Sequence, residues 1–420
     1  MITPAFNLTA TERVLPRLAL DFTTALLDGR VTFVRTTSAS NPATYTGSDG
    51  YIALATNDQP RFDYDSITLA CKGLLIEESR TNLLSYSNTF SDISWNKPNT
   101  VLSASAEISP DGTTNATKLS IAAATAVTSI NKNSTVVAGT SYTITVYAKA
   151  DELLLLNLGF AYNTNEYSGT QFNLSTGTVV RTWAAGTGNT ATNATITLIK
   201  NQWYRCTVTI TSGRTTAFPC VLPSNSTWSF GAINQTLTGN GTDGVHIWQA
   251  QFEAGAFPTS VIPTTTTAVT RNADVASMTG TNFSDWYNPT EGTLYQEYSS
   301  ATTSGVYASS LGTFSNGIFF RPIFGQNMFV RKGNVTQAQL GNVSFTPNTF
   351  AKQIGAYALN DIASCVNASV VATDALAELP DVSAFYLGGV GAGVYGSFYF
   401  KKLSYYPLRL SNANLQALTN

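Results

Sequence analysis

Charge is scarce in this chain: Asp, Glu, Lys and Arg together make up 11% of its 420 residues, where about a quarter is usual. The formal net charge is −2, and no cluster of Lys and Arg stands out. A field able to hold nucleic acid is therefore excluded, as is attraction to an anionic membrane surface. Histidine is scarcer still. His246 is the single one in the sequence, so any Ser–His–Asp or Cys–His catalytic pair must use it, and zinc chemistry with two histidine ligands is excluded. It stands beside a turn, at the start of the strand-like stretch Ile247 to Phe252, which reads as a strand-edge histidine rather than a catalytic base. Cysteine is limited to Cys71, Cys206, Cys220 and Cys365. None forms a C-x-x-C pair, so the usual zinc spacing is missing. Cys206 reads as a small buried hydrophobe. Cys206 and Cys220 could meet across a hairpin, but a cytosolic origin favours free thiols. Long apolar runs are also lacking. The N-terminus shows no signal-peptide pattern, and the most apolar stretch, around Leu153 to Leu156, is far too short to span a bilayer. Heptads, Gly-X-Y runs and short β-helix repeats are absent, so no long fibrous shaft is encoded.

What remains is ample apolar content, 43%, with a surface left to Thr, Ser, Asn and Gly. Alternation with a period of two dominates. In Tyr142 to Lys149 one face carries Tyr142, Ile144, Val146 and Ala148, and the other Thr143, Thr145, Tyr147 and Lys149. In Tyr204 to Thr211 the apolar face is Tyr204, Cys206, Val208 and Ile210, and the outer face is Arg205, Thr207, Thr209 and Thr211. This is the pattern of strands with one buried and one wet face. Thr195 to Ile199, Ile247 to Phe252 and Phe398 to Leu403 read as strands as well. Turn signals punctuate them at Asp111-Gly112, Thr176-Gly177, Gly239-Asn240-Gly241, Asp243-Gly244 and Pro347-Asn348. Many short strands with such spacing predict sandwiches. One short helix is predicted at the end, capped by Ser411, with Leu410 stapled onto Leu415 and followed by Leu418. The fold class is thus all-β: an N-terminal strand-rich section (1–80), a first antiparallel sandwich (81–263), an extended polar linker (264–268), and a second antiparallel sandwich with a short C-terminal helix (269–420).

Particular motifs carry a resemblance. Pro60-Arg-Phe-Asp-Tyr-Asp65, then Gly73-Leu-Leu-Ile-Glu-Glu-Ser-Arg-Thr-Asn-Leu-Leu84 with Trp95 beyond, resembles a module of tail-fibre and virion-surface proteins of tailed bacteriophages. Ser109-Pro-Asp-Gly-Thr-Thr114 with Lys118-Leu119, Tyr142 to Lys149, Gln202-Trp-Tyr-Arg-Cys206 and Ile247-Trp-Gln-Ala-Gln-Phe-Glu-Ala-Gly255 resemble a carbohydrate-binding-module-like jelly roll. Leu387-Gly388-Gly389, Gly396 with Ser397 to Tyr406, and Pro407 before Leu410-Ser411 resemble a concanavalin A-like (laminin-G-like) sandwich. The resemblance implies a non-enzymatic virion protein, assembled in the host cytoplasm, on the tail or capsid surface. Its N-terminal section would dock on other virion proteins, and the sandwiches would bind a host surface glycan during adsorption, as a homotrimer. The alternative it allows is a head or collar decoration protein with a structural role, and a glycan depolymerase comes third.

Several patterns bear on chemistry. Gly391-Ala-Gly393-Val-Tyr-Gly396 matches G-x-G-x-x-G, but a dinucleotide site needs a helix to follow, and Ser397 to Leu403 reads as a strand. A glycosidase needs two acids flanking the bond. Glu77 and Glu78 point to opposite faces if extended. Asp63 and Asp65 share a face but are expected in the N-terminal module, away from a sandwich groove. Aromatic faces stack on sugar rings. Trp203 and Trp248 fall inside strand motifs and read as core, whereas Trp183, Tyr162, Tyr167 and Trp228 lie beside loop-like or Asn-rich stretches and are the candidate glycan contacts. The jelly-roll resemblance also implies a structural calcium, for which Asp111 and Glu253 are the candidate ligands. The turn position of Asp111 equally fits a residue bonding its own backbone, and a hard cation needs six or more oxygens.

Overall fold

The computed structural model describes residues 15–36, 42–163, 166–186, 190–224, 236–302, 305–323, 326–341, 343–391, 393–394 and 396–420. The expected strands form, and every pairing among the described strands is antiparallel. Two sandwiches result, with separate apolar cores.

One sheet of the first sandwich runs in the order Thr190–Leu198, Tyr204–Thr211, Ser141–Ala150, Gly244–Ala254, Thr117–Ile121 and Thr100–Ala104. The facing sheet runs Ile130–Asn131, Thr216–Ser224, Leu155–Asn163, Glu166–Asn173 and Thr178–Ala185. The period-two faces close between them. Ile144 lies opposite Val208 on one side and Phe252 on the other, and all three are buried against Leu156, Leu158 and Phe160 of the facing sheet. Burying apolar area contributes roughly 25 cal/mol per Å², so this layer drives the two sheets together. Cys206 and Cys220 point into this core from opposite sheets, and all four cysteines are free thiols.

The second sandwich is not built from the C-terminal block alone. One sheet runs Ala372–Asp374, Asp361–Val366, Ala351–Ala358, Glu291–Ser300, Ser397–Tyr406, Cys71–Glu77 and Arg61–Tyr64, with Leu18–Asp21 also paired to Ser397–Tyr406. The facing sheet runs Thr32–Val34, Val275–Thr279, Ala384–Leu387, Ser309–Gly312, Gly317–Phe320, Met328–Lys332 and Val335–Leu340. Strands from the first 80 residues thus enter both sheets. Leu18, Phe22, Phe33, Leu74 and Ile76 are buried in one core with Leu294, Ile318 and Phe398. These apolar faces would otherwise meet water, and strands from the chain's far end cover them.

The stretch after Pro263 is anchored at both ends, with Thr265 to Ala268 exposed between them. Thr264 is buried, its Oγ1 donating to the Leu84 carbonyl at 2.5 Å, and the Thr265 carbonyl accepts from Tyr86 N at 2.5 Å. Val269–Arg271 then pairs with Arg80–Asn82. The terminal helix, Asn412–Thr419, forms as expected: Ser411 accepts from Asn414 N, and Leu410 and Leu415 share a small apolar cluster. The Gly-rich pattern is a strand connection, with Gly389–Val390 paired to Gly393–Val394 before Ser397–Tyr406.

A buried ionic cluster ties the parts together. Asp274 bonds Arg35 at 2.8 Å and Arg61 through its other oxygen. Glu77 lies 2.7 Å from Arg61 and 3.6 Å from Arg271 and accepts two hydrogen bonds from Ser260, at 2.8 and 2.6 Å. Arg35, Arg61 and Glu77 come from the N-terminal section, Ser260 from the end of the first sandwich, and Arg271 and Asp274 from the second.

Candidate functional site

The outer face of the first sandwich positions the site. Its residues alternate with the core, as expected, but four of them are not wet. Thr143, Thr145, Thr207 and Thr209 are all at most 4% exposed. The reason is that the chain after the last strand turns back across this face. The Gly255 carbonyl accepts from Thr143 Oγ1 at 2.9 Å, and the Thr259 carbonyl accepts from Arg205 Nη2. The hydroxyls bond one another in rungs, Thr143 with Thr209 at 2.8 Å and Thr195 with Thr207 at 2.5 Å.

Where this cover ends, a cavity of about 530 Å³ opens between the two sandwiches, within the usual range for small-ligand sites. One wall is the outer face: Tyr147, Thr195, Thr197, Arg205 and Thr207. The opposite wall is Asp63, Asp65, Lys72 and Glu77 from the N-terminal section, with Tyr399 of the second sandwich. Tyr147 is held by an edge contact with Trp248, ring centres 5.3 Å apart, in a cluster that includes Trp203. Both tryptophans are buried, as expected, and their ring N–H groups donate to the Ile108 carbonyl (Trp203, 2.8 Å) and to Asn115 Oδ1 (Trp248, 2.7 Å).

The electrostatics of the walls are set by burial and pairing. Burial pushes the Tyr147 and Tyr399 hydroxyls above the usual phenol range, so both keep their protons at neutral pH. Among the described residues neither hydroxyl has a hydrogen-bond partner. Burial opposes the Lys72 charge, but Tyr399 and Asp63 beside it overcome that and hold its pKa above the ordinary value. The ammonium lies 2.7 Å from Asp63 and 4.9 Å from the centre of the Tyr399 ring. Asp63 also accepts from Thr46 N at 2.6 Å. Asp65 accepts from the backbone N–H groups of Ile67 and Thr68, which lowers its pKa against burial. Burial would raise the Glu77 pKa, but Arg271, Arg61 and the Ser260 bonds outweigh it and hold the carboxyl far below the usual range.

The aromatics expected as glycan contacts lie elsewhere. Trp183 is 2% and Tyr167 is 4% exposed. They pack on each other at 5.6 Å in the core of the first sandwich. The indole fits because Gly169 stands directly opposite it in the ladder and presents no side chain. Tyr162 is half-buried, against that core. Trp228 lies outside the described residues. Of the three described residues, Trp183 and Tyr167 thus meet inside the core rather than on a surface.

The two calcium candidates are occupied by protein donors. Asp111 accepts from Thr113 N, Thr113 Oγ1 and Asn115 Nδ2 at 3.0, 2.9 and 2.9 Å, which is the turn-residue arrangement. Glu253 is fully buried, with Gln251 Nε2, Thr259 N and Thr259 Oγ1 on its oxygens at 2.8, 2.9 and 2.7 Å. Among the described residues no group of three or more His, Cys, Asp and Glu side chains could hold a metal ion.

His246 has partners that strand spacing does not reveal. Its Nδ1 is 3.0 Å from Ser105 Oγ and its Nε2 is 3.3 Å from Asp151 Oδ2. The order is that of a Ser–His–Asp triad. Here Ser105 Oγ also accepts from Glu107 N at 3.1 Å, and Asp151 pairs with Lys118 at 2.7 Å. Ser105 and His246 are both buried, and neither lines the junction cavity.

No family model matches the chain, and no curated protein does. Among solved structures the chain is similar to Trypanosoma rangeli sialidase, at 12% identity and a TM-score of 0.27, over 61% of this chain and 48% of that one. A complex of the same sialidase with 2,3-difluorosialic acid, a covalent intermediate, aligns at 9% identity and a TM-score of 0.27, over 72% of this chain and 60% of that one. The chain thus spans about half the length of the sialidase it matches.

The expectation of a non-enzymatic chain is not borne out by this comparison, since the similar structures are of a sialidase. At this TM-score the alignment carries no argument about mechanism and assigns no residue here a catalytic role. The structure corrects the companion expectation on its own terms. Asp63 and Asp65 were expected away from a sandwich groove, yet both line the cavity between the sandwiches, together with Glu77. The physical reason is that the N-terminal section folds into the second sandwich and presents its polar edge to the first. Glu77 and Glu78 do diverge: Glu77 enters the buried cluster, and Glu78 forms a separate, half-buried pair with Arg80.

Proposed function

We propose that the chain is a saccharide-binding component of a tailed-phage particle, and that it binds its ligand in the cavity between the two sandwiches. The observation that carries the binding site is the lining itself. Threonine hydroxyls, two tyrosine rings with unpartnered hydroxyls and a few paired charges surround about 530 Å³. Sugars need such a surface: ring faces to stack on, and neutral donors and acceptors for hydroxyls. The virion part of the reading rests on the motifs around Pro60 to Leu84 and on the sandwich motifs that follow. The N-terminal section supplies one wall of the site, and the particle would hold the chain by its remaining surface. Assembly as a homotrimer would multiply weak sugar contacts through avidity.

Thr197 tests the site. It is exposed, lines the cavity and stands directly opposite Arg205 in the ladder. Trp is well tolerated on a strand face, so Thr197→Trp fills the cavity mouth without touching either core. Glycan-array binding by the full chain should fall at least about tenfold in this variant, with the thermal midpoint unchanged. Unchanged binding would remove the cavity from the argument. Antibody labelling of intact particles tests the other half: label at the tail tip or fibres supports host adsorption, whereas label confined to the head shows a decoration role instead.

A further inference from the structure

We propose that the saccharide in this cavity is acidic, and that Arg205 binds its carboxylate. This rests on the cavity being the binding site. Three cations line it, and two are already engaged. Lys72 pairs with Asp63 at 2.7 Å. Lys200 donates to the Asp49 carbonyl and lies 4.0 Å over the Tyr51 ring. Arg205 differs from both. Its Nη2 donates to the Thr259 carbonyl, its Nε is buried without an acceptor, and among the described residues no carboxylate lies within ion-pair distance of it. A guanidinium carries five N–H donors in a planar fork, so most of this one's capacity is open.

The neighbours of Arg205 fit the same ligand group. Tyr147 stands directly opposite it on one side of the ladder and Thr197 on the other. Tyr399 faces it across the cavity. The two tyrosine hydroxyls are protonated and have no partner among the described residues. A carboxylate placed here accepts two parallel N–H bonds from Arg205 and further bonds from the tyrosines. A neutral sugar hydroxyl cannot match that fork, and charge-assisted bidentate bonds are roughly twice as strong as neutral ones.

The three carboxylates of the lining do not repel such a ligand strongly. Asp63 is neutralised by Lys72, and Glu77 by Arg61 and Arg271. Asp65 is turned into the N–H groups of its own turn. Behind Glu77 the buried cluster holds Arg35, Arg61 and Arg271 against only one further carboxylate, Asp274. Glu253, which also acts on Arg205, has no cation beside it among the described residues, but Gln251 and Thr259 donate to its oxygens.

The test uses the full chain in titration calorimetry with three probes: a neutral hexose oligomer, a uronic-acid oligomer of matched length, and the same uronic oligomer after carboxyl reduction. The uronic oligomer should bind, and carboxyl reduction should weaken it at least about tenfold. Arg205→Gln should abolish the preference for the acidic probe. Arg205→Lys, which keeps the charge but loses the fork, should restore only part of it. Equal binding of all three probes would overturn the inference and leave the saccharide site standing. Binding of none of them would remove the site as well. The carboxyl-reduction comparison needs no variant, so it decides the matter even if Arg205→Gln fails to fold.

Discussion

At the scale of single residues, the buried cluster shows what charge can do in a chain that has so little of it. Arg35, Arg61, Arg271, Glu77 and Asp274 are each at most 2% exposed. A buried ion pair adds little against an apolar replacement, but removing one partner leaves an uncompensated charge and costs about 3–5 kcal/mol. Glu77→Gln should therefore destabilise the chain by an amount in that range, measured by chemical denaturation. The pH dependence follows from direction. The Glu77 pKa is depressed in the folded state by Arg271, Arg61 and Ser260, against burial. Its contribution is fully present above the ordinary value of 4.5 and is lost progressively as pH falls below it. The wild-type chain should lose stability more steeply than Glu77→Gln between about pH 4.5 and pH 3. His246 acts higher on the scale. Burial lowers its pKa, and Asp151 and Glu107 only partly offset this. Its contribution is present above 6.5 and declines as pH falls through and below that value. His246→Gln should flatten the stability profile between about pH 6.5 and pH 5, and parallel profiles for the two proteins would show that the imidazole keeps its unfolded-state pKa.

At the scale of elements, local pattern and tertiary partnership separate clearly. The strands Tyr142 to Lys149 and Tyr204 to Thr211 were legible because a half-buried strand repeats every two residues, and their apolar faces are the core. The terminal helix was legible because Ser411, Leu410 and Leu415 are a local cap and staple. The burial of Trp183 was not legible, because it depends on Gly169 one strand away. Nor was the covering of Thr207 and Thr209, because the cover comes from residues some fifty positions later, such as Ala256 and Thr259. Tyr147, Arg205 and Thr207 were legible as an outer face, though not as one wall of a cavity. Its opposite wall was not, since nothing in period or spacing says that Lys72 and Tyr399 will face it. Gly73 is the element-scale position where this wall is most constrained. Its φ is +103°, and a Cβ there would stand 2.0 Å from the Phe400 carbonyl oxygen, where Cys71–Glu77 crosses Ser397–Tyr406. The strand bulges against Arg61–Tyr64 at the same point. Gly73→Ala should cost about 1–3 kcal/mol from backbone strain alone, and more if the carbonyl cannot move, with the loss read as a fall in the thermal midpoint.

At the scale of the whole molecule, chain order and packing order differ, and this decides which fragments can fold. The first sandwich keeps its sheets and core within residues 84–254. The second draws strands from both ends of the chain, with Leu18 opposite Tyr405 and Leu75 opposite Tyr399. Pairing across more than three hundred residues carries a loop-closure cost that grows only slowly with length, so such a topology is thermodynamically accessible although no local signal announces it. A fragment of residues 81–420 lacks Leu18–Asp21, Thr32–Val34, Arg61–Tyr64 and Cys71–Glu77. It leaves Leu294, Ile318 and Phe398 without Phe22, Leu74 and Ile76, and it leaves Asp274 without Arg35 and Arg61. That fragment should aggregate or expose apolar surface to a hydrophobic dye, whereas residues 81–263 alone should give a cooperative unfolding transition. Binding at the proposed saccharide site should be lost in both, because Asp63, Lys72, Glu77 and Tyr399 form one wall of the cavity and neither fragment holds all of them. Binding by residues 81–263 at the affinity of the full chain would place the ligand on the first sandwich by itself and separate saccharide recognition from the junction that the two ends of the chain build together.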